Sequence, residues 1–138
     1  MKQENRELLL KDLCARLTYE VIVDYSYNAY VLHKGNYVKH AKHRTKCILS
    51  CSLLDVFISP RQDEAGEYIK PYLFPLSSMT DAEKEEYCHL QQRVIYNSKG
   101  LVNEDVMKYI NWCYKKHLDI NNLIPIGLAI DATGLNIY

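Results

Sequence analysis

The stretch EVIVDYSYNAYVLHKGNYVKHAKHRTKC, residues 20–47, decides the fold class of this chain. Its first half is rich in β-branched and aromatic residues, which favour strands over helices. Three short strands separated by two turns are predicted: strand 20–25, turn 26–28, strand 29–34, turn 35–36 and strand 37–41. The stretch therefore predicts a small antiparallel sheet built from hairpins.

Three amphipathic helices are predicted, one before this stretch of the sequence and two after it: 5–17, 81–97 and 103–118. Asn5 is expected to cap the first helix. Thr80 and Glu83 form the pattern of a capping box at the start of the second, and Gly100 suits its end. Asn103, followed by two acidic residues, favours the start of the third helix.

Two apolar segments lie between the basic stretch and the second helix. KCILSCSLLDVFI, residues 46–58, predicts a strand near 46–51 followed by a second strand or a short helix, which periodicity cannot separate. KPYLFP, residues 70–75, is framed by two prolines and predicts an edge strand or an extended crossing.

The order helix, strands, helices predicts an α+β fold. An N-terminal helix is expected, then a small antiparallel sheet or an SH3-like or Sm-like barrel, then C-terminal helices. Residues 1–78 form the helix and β region of this interpretation, and residues 79–138 form a helical part packed with it as one domain.

The charge of the chain is balanced overall but segregated along it. Seventeen basic and seventeen acidic residues give no net charge, which argues against whole-molecule mimicry of DNA. Residues 25–54 hold five basic residues and no acid, whereas residues 55–86 hold eight acids and three basic residues. Twelve tyrosines are also present, and tyrosine is enriched at protein interfaces.

The basic stretch supplies the candidate binding residues. They share a positive charge, an imidazole or an aromatic ring: Lys34, Tyr37, Lys39, His40, Lys42, His43, Arg44 and Lys46. Such a ribbon can hold phosphates and stack a base, can meet an acidic patch on a protein, or can pair with the acidic stretch of its own chain.

A metal-dependent or thiol-dependent enzyme is the third alternative. His40, His43, Cys47 and Cys51 have spacings of three and four, but on a strand these offsets alternate between faces. Cys113 and His117 fit a core thiol and a histidine at a helix end. No motif of a known catalytic site occurs, so no catalytic residue, metal or cofactor is assigned and no enzyme is expected.

Three segments carry a resemblance to a known group of proteins: LLLKDLCARL (8–17), KPYLFPLSSMTDAEKEEY (70–87) and GLAIDA (127–132). Over roughly a quarter of its length the chain resembles short, uncharacterised proteins of gut bacteria and their phages and mobile elements. The resemblance implies that the protein binds and blocks host machinery, such as an RNA-guided nuclease, in the manner of anti-CRISPR proteins. It provides no catalytic motif.

The resulting expectation is a small interaction protein that acts stoichiometrically on a protein partner. Nucleic-acid binding through residues 34–46 is the alternative. The chain shows no signal-peptide pattern and no apolar run long enough to span a bilayer, so a cytoplasmic location without membrane contact is expected.

Overall fold

The α+β fold is confirmed by a computed structural model that describes residues 2–58, 69–96 and 104–138, with only the backbone described for 29–30 and 39–42. The principal elements are α1 (Gln3–Arg16), β1 (Ile22–His33), β2 (Asn36–Ile48), α2 (Cys51–Ile58), β3 (Ile69–Leu73), α3 (Asp81–Tyr96), α4 (Glu104–Lys115) and β4 (Ile130–Asp131). Short 3₁₀ turns occur at Leu17–Tyr19 and Leu76–Ser78. No helix in the described ranges is both long and apolar enough to cross a membrane.

One long hairpin replaces the three short strands expected from the sequence. β1 and β2 pair continuously from Ile22 opposite Ile48 to His33 opposite Asn36. The connecting residues Lys34 and Gly35 have φ values of 49° and 82°, the positive pair that a type I′ hairpin turn requires.

The turn predicted at Ser26-Tyr27-Asn28 is therefore wrong. These residues lie inside β1, opposite 44, 43 and 42 of β2. Ser26 and Asn28 occupy alternate positions of a half-exposed strand, where polar residues are tolerated, and only the later Gly35 provides the conformational freedom that the reversal needs. The third strand predicted at 37–41 is part of β2, as is the strand expected near residue 46.

The sheet has the order β2-β1-β3-β4. β1 is antiparallel to β2 and β3, whereas β3 and β4 are parallel over two residue pairs. This order is an open one in the described part of the chain, which favours the sheet over the closed barrel considered as its alternative.

β3 lies inside the sheet, so the expectation of an edge strand for KPYLFP is wrong. Pro71 stands opposite Val23 of β1. Leu49 N donates to Val21 O at 2.9 Å, and hydrogen-bonded pairs alternate along an antiparallel ladder, so Val23 directs its backbone groups toward β2. The missing N–H of Pro71 is consequently not needed on the β1 side.

The main core lies between the base of the sheet and the helices α1 and α2. Its buried apolar side chains include Leu9 and Leu13 of α1, Leu54 and Phe57 of α2, and Val21, Val23, Ile69 and Leu73 of the sheet region. The sequence left a second strand and a short helix as alternatives for the end of segment 46–58. The structure shows the helix, α2, whose apolar face completes this core. A second cluster surrounds Met79, Cys113 and Leu118.

The helix boundaries confirm one predicted cap and correct another. Thr80 N donates to Glu83 Oε2 at 3.0 Å and Glu83 N donates to Thr80 Oγ1 at 3.3 Å, which is the reciprocal capping box. α1 begins two residues before Asn5, with Lys2 at the N-cap and no side-chain cap. The predicted signals at Gly100 and Asn103 lie outside the described residues.

A buried ion pair connects α1 to the segment after α4. Arg16 Nε donates to Asp12 Oδ2 at 2.7 Å, and both side chains are fully buried. Arg16 Nη2 also donates to the carbonyl oxygen of Leu118, and Asn121 Nδ2 donates to Asp12 Oδ1, each at 2.7 Å. These bonds join the parts 1–78 and 79–138 and satisfy most of the polar atoms that the pair buries.

Candidate interaction surface

The hairpin extends well beyond the sheet. β3 pairs with β1 only at residues 23–25. From Ser26 onward the hairpin has two strands in the described part of the chain, and residues 26–44 are called the distal ribbon. The eight residues 26–33 of β1, at roughly 3.3 Å each, give it a length of about 25 Å.

Four exposed apolar side chains occupy the end of the distal ribbon. Val31 is 49% exposed, Leu32 60%, Tyr37 77% and Val38 51%. Val31 stands opposite Val38 and Leu32 opposite Tyr37. Adjacent residues of a strand point to opposite faces, so each face of the ribbon carries one apolar cross-strand pair. These four residues are called the apolar tip.

A β-bulge sets which residues share a face of the ribbon. Ala29 pairs with Ala41 and Tyr30 pairs with Lys39, so residue 40 is an extra residue on β2. The extra residue reverses the alternation of β2 relative to β1. Positions 37 and 39 therefore fall on the same face as positions 42, 44 and 46, and this face is called the basic face.

One cation of the basic face has an acidic partner within the same hairpin. Arg44 Nε donates to both carboxylate oxygens of Asp24, at 2.8 and 2.7 Å. Asp24 is mostly buried, whereas the Arg44 side chain is 69% exposed. The hydrogen bond and the charge of Asp24 raise the pKa of Arg44, which keeps the guanidinium fully charged. Lys46 Nζ lies 5.1 Å from the ring centroid of Tyr72.

The opposite face of the ribbon continues the core with aromatic rings. The rings of Tyr25 and Tyr27 stack at 5.5 Å, and Tyr27 stacks on His43 at 5.2 Å. Burial raises the pKa of Tyr25, and burial also raises that of the Cys47 thiol. A raised thiol pKa leaves Cys47 protonated near neutral pH, which does not favour its use as a nucleophile.

The structure distributes the eight predicted binding residues over the turn, the apolar tip and both faces of the hairpin. Lys34 lies in the turn and Tyr37 in the apolar tip, while Arg44 and Lys46 belong to the basic face. His43 lies on the aromatic face, away from these cations. Lys39, His40 and Lys42 are placed by backbone register only, with His40 as the extra residue of the bulge.

Sequence reasoning missed Val31, Leu32 and Val38 as functional candidates. Short predicted strands assigned them to ordinary sheet positions, where apolar residues are buried. The sequence carried one signal for them, the length of the alternating pattern from 22 to 33. A strand of that length extends well beyond the three residues that pair with β3.

The acidic stretch of the chain has other partners where its side chains are described. Asp81 pairs with Lys84 at 3.3 Å, and Glu83 pairs with Lys116 at 3.0 Å. The Thr80 amide and the Lys116 ammonium lower the pKa of Glu83. Among the described side chains, the acid that pairs with the ribbon is Asp24 of its own strand, not a member of the acidic stretch.

The predicted thiol and metal candidates occupy separate environments. Cys113 is fully buried, and burial raises its pKa to about 11. His117 stacks on Tyr138 with ring centroids 3.8 Å apart, and burial lowers its pKa to about 4. The described residues contain no group of three or more His, Cys, Asp and Glu side chains arranged to hold a metal ion.

A cleft of about 370 Å³ lies beside His117 and Tyr138. Glu83 and Lys116 line it and form an ion pair with each other, while the Ser78 hydroxyl donates to Pro75 O at 2.7 Å. These polar groups are satisfied within the protein, whereas Nδ1 of His117, which also lines the cleft, is buried and has no hydrogen-bond partner among the described residues.

The comparisons with known proteins yield no relative for this chain: no family model, no curated protein and no solved structure matches it.

Proposed function

We propose that this protein acts stoichiometrically by binding a protein partner through its distal ribbon. The observation that supports this proposal is the apolar tip, four large apolar side chains that are about half or more exposed at the end of a two-stranded projection. Exposed apolar residues that cluster contribute affinity when a partner covers them, and aromatic residues such as Tyr37 are enriched among interface hot spots.

The contact has an apolar centre and a charged flank. The apolar tip supplies area to be desolvated, and the basic face next to it steers a partner with an acidic surface. No catalytic group takes part in this activity, which consists of occupying a surface on the partner.

The finer proposal concerns the partner. The resemblance of segments 8–17, 70–87 and 127–132 to proteins of phages and mobile elements supports a host defence component, such as an RNA-guided nuclease, as the target. On this proposal the protein works in the cytoplasm, as an inhibitor, without a cofactor.

The test is capture of partners from a lysate of gut anaerobes on immobilised protein, followed by quantitative mass spectrometry. Wild type is compared with the double variant Leu32→Ser/Tyr37→Ser, which makes the apolar tip polar. Ile126→Ser is the matched control, because Ile126 is similarly exposed but lies far along the chain from the ribbon.

We expect one host protein to be enriched by wild type and the control and to be lost by at least about tenfold with the tip variant. Identification of a defence nuclease would support the finer proposal. Equal capture by all three proteins, or no enrichment by wild type, would contradict the proposed function.

Nucleic-acid binding is the second candidate, and the basic face favours it. The bulge gathers positions 37, 39, 42, 44 and 46 on one side of a ribbon narrow enough to enter a major groove. If this candidate function is correct, the protein binds DNA or RNA with an affinity that falls steeply as salt increases. The triple variant Lys39→Glu/Lys42→Glu/Arg44→Glu should then lose this binding. Absence of binding to DNA and RNA oligonucleotides at low salt would eliminate it.

A further inference from the structure

The outer edge of β2 is the longest unpaired strand edge in the described part of the molecule. β2 is the end strand of the order β2-β1-β3-β4 and spans thirteen residues. Its partner β1 takes the hydrogen bonds of one side only. An unpaired edge presents a row of N–H and C=O groups that another strand can extend.

The register identifies which residues present those groups. Leu49 N donates to Val21 O, so this pair is hydrogen-bonded to β1, and the pairs at Cys47, Thr45 and His43 follow it by alternation. The intervening positions 42, 44, 46 and 48 therefore direct their backbone N–H and C=O away from β1, toward the outer edge.

The residues with outward backbone groups are also members of the basic face. Lys42, Arg44 and Lys46 recur at every second position, and although Arg44 pairs with Asp24 of β1, its side chain stays 69% exposed. In a strand that pairs with this edge, the residues directly opposite them would lie on the same face of the enlarged sheet. Along this edge, the outward backbone groups and the basic residues therefore recur together at every second position.

This combination selects among possible occupants. A second copy of the chain that paired β2 with β2 would bring lysines and arginines side by side, which is destabilising. The bulge at residue 40 interrupts the regular edge and limits such pairing to residues 41–48. A strand with acids at alternate positions gains both the backbone bonds and the attraction of opposite charges.

The lower end of the edge adds an apolar position. Ile48 is 56% exposed and lines a cleft of about 350 Å³ together with Ile22, Leu135 and Ile137. Ile22 and Ile48 are opposite each other in the ladder, on the same face as Lys46. An apolar side chain placed opposite Ile48 would contact this exposed isoleucine on the face that carries the cleft.

We infer that the β2 edge from Lys42 to Ile48 accepts, by strand addition, an extended acidic segment of a partner protein, with acids opposite 42, 44 and 46 and an apolar residue opposite 48. This inference rests on the proposed function in that the partner is a protein. It specifies the chemistry of the partner segment and places it on residues 42–48 of β2, which are called the stem of the hairpin, separate from the apolar tip.

The test uses a synthetic peptide rather than an unidentified partner. The probe is fluorescein-labelled Leu-Thr-Glu-Thr-Glu-Thr-Glu, whose antiparallel pairing puts leucine opposite Ile48 and glutamates opposite the three basic positions. The control, Leu-Thr-Thr-Thr-Glu-Glu-Glu, has the same composition and charge without the alternation. Binding is measured by fluorescence anisotropy at low salt.

We expect the alternating peptide to bind about two- to fivefold more tightly than the block peptide, because the block peptide places threonine instead of glutamate opposite Lys46 and so loses one cross-strand charge pair. N-methylation of the glutamates should abolish this advantage, because those N–H groups point at β2. Equal binding of the alternating and block peptides would show attraction by charge alone and would overturn the inference.

A protein variant gives an independent measurement. Lys46→Pro removes one outward N–H while leaving the ladder with β1 intact, and Lys46→Ala removes the same charge but keeps that N–H. We expect Lys46→Pro to bind the alternating peptide several-fold more weakly than Lys46→Ala. Equal affinities of the two variants, with circular dichroism showing both folded, would contradict strand addition.

The tip variant separates this inference from the proposed function. Leu32→Ser/Tyr37→Ser should bind the alternating peptide as wild type does, although it loses the captured host protein. Loss of peptide binding in the tip variant would overturn the placement on the stem. Concentration-dependent dimerisation of wild type that the peptide cannot disrupt would assign the edge to a second copy and would likewise overturn the inference.

Discussion

The base of the sheet and the distal ribbon are built from the same two strands but have opposite surroundings. At the base, Val23 and its neighbours are covered by α1 and α2, and the buried pair of Asp12 and Arg16 ties the helices to the C-terminal segment. Beyond Ser26 the strands pair with each other in the described part of the chain, and the four side chains of the apolar tip are exposed. The base therefore holds the buried contacts that stabilise the fold, and the ribbon is the part for which we propose a binding role.

The first prediction concerns the base and has the largest expected effect. Asp12→Ala leaves the buried guanidinium of Arg16 without its counter-ion, which costs about 3–5 kcal/mol in the free energy of unfolding. Urea denaturation followed by circular dichroism measures this loss. Lys84→Ala, which breaks an exposed pair, is the control and should cost at most about 1 kcal/mol. Similar losses of unfolding free energy in the two variants would contradict the claim that the buried pair stabilises the base more than an exposed pair does.

The second prediction uses the histidine that joins α4 to the C-terminal segment. Burial, followed by the charge of Arg16, lowers the pKa of His117 to about 4 from an ordinary 6.5. The unfolded chain therefore binds a proton at higher pH than the folded protein, and stability falls as the pH decreases from 6.5 to 4.

His117→Gln should flatten this decrease, because the variant cannot take up that proton. Denaturation midpoints measured at several pH values check it, and a comparison at pH 8, where the imidazole is neutral in both states, isolates the packing contribution. An unchanged pH dependence in the variant would show that another group controls it.

The third prediction tests the turn of the ribbon. Gly35 has a φ of 82° and open space where a Cβ would lie, so Gly35→Ala introduces backbone strain without a clash. The expected cost is about 1 kcal/mol. Gly35→Asn, which tolerates positive φ, should cost less, and a difference in the opposite direction would contradict the type I′ turn.

The fourth prediction has the smallest effect on stability and the largest on binding. Leu32→Ser/Tyr37→Ser should change the free energy of unfolding by no more than about 0.5 kcal/mol, because neither side chain is buried. The same denaturation experiment measures it. A loss comparable to that of Asp12→Ala would mean that the tip packs against the body and is not a free surface.

The sequence predicted the features that depend on local signals. The α+β order, the Thr80–Glu83 capping box and the helices α3 and α4 follow from periodicity and end signals in continuous segments. The length of the hairpin did not follow, because Ser26-Tyr27-Asn28 resembles a turn by composition and the competing turn lies only seven residues further on.

The shared face of the candidate residues was not predictable from the sequence. With regular alternation, positions 37 and 39 would lie on the other face of β2 from positions 42, 44 and 46. The bulge at residue 40 brings all five positions to one face. The partnership of Arg44 with Asp24 depends on the register of the long hairpin, twenty residues apart in sequence. Both features depend on pairing geometry and not on composition.

Amide hydrogen exchange of the protein, alone and with a host protein captured in the lysate experiment, tests most directly whether the distal ribbon carries the proposed contact. We expect new protection between residues 26 and 46, with little change in α3 and α4. Protection confined to the helices, with the ribbon exchanging as fast as in the free protein, would contradict the account.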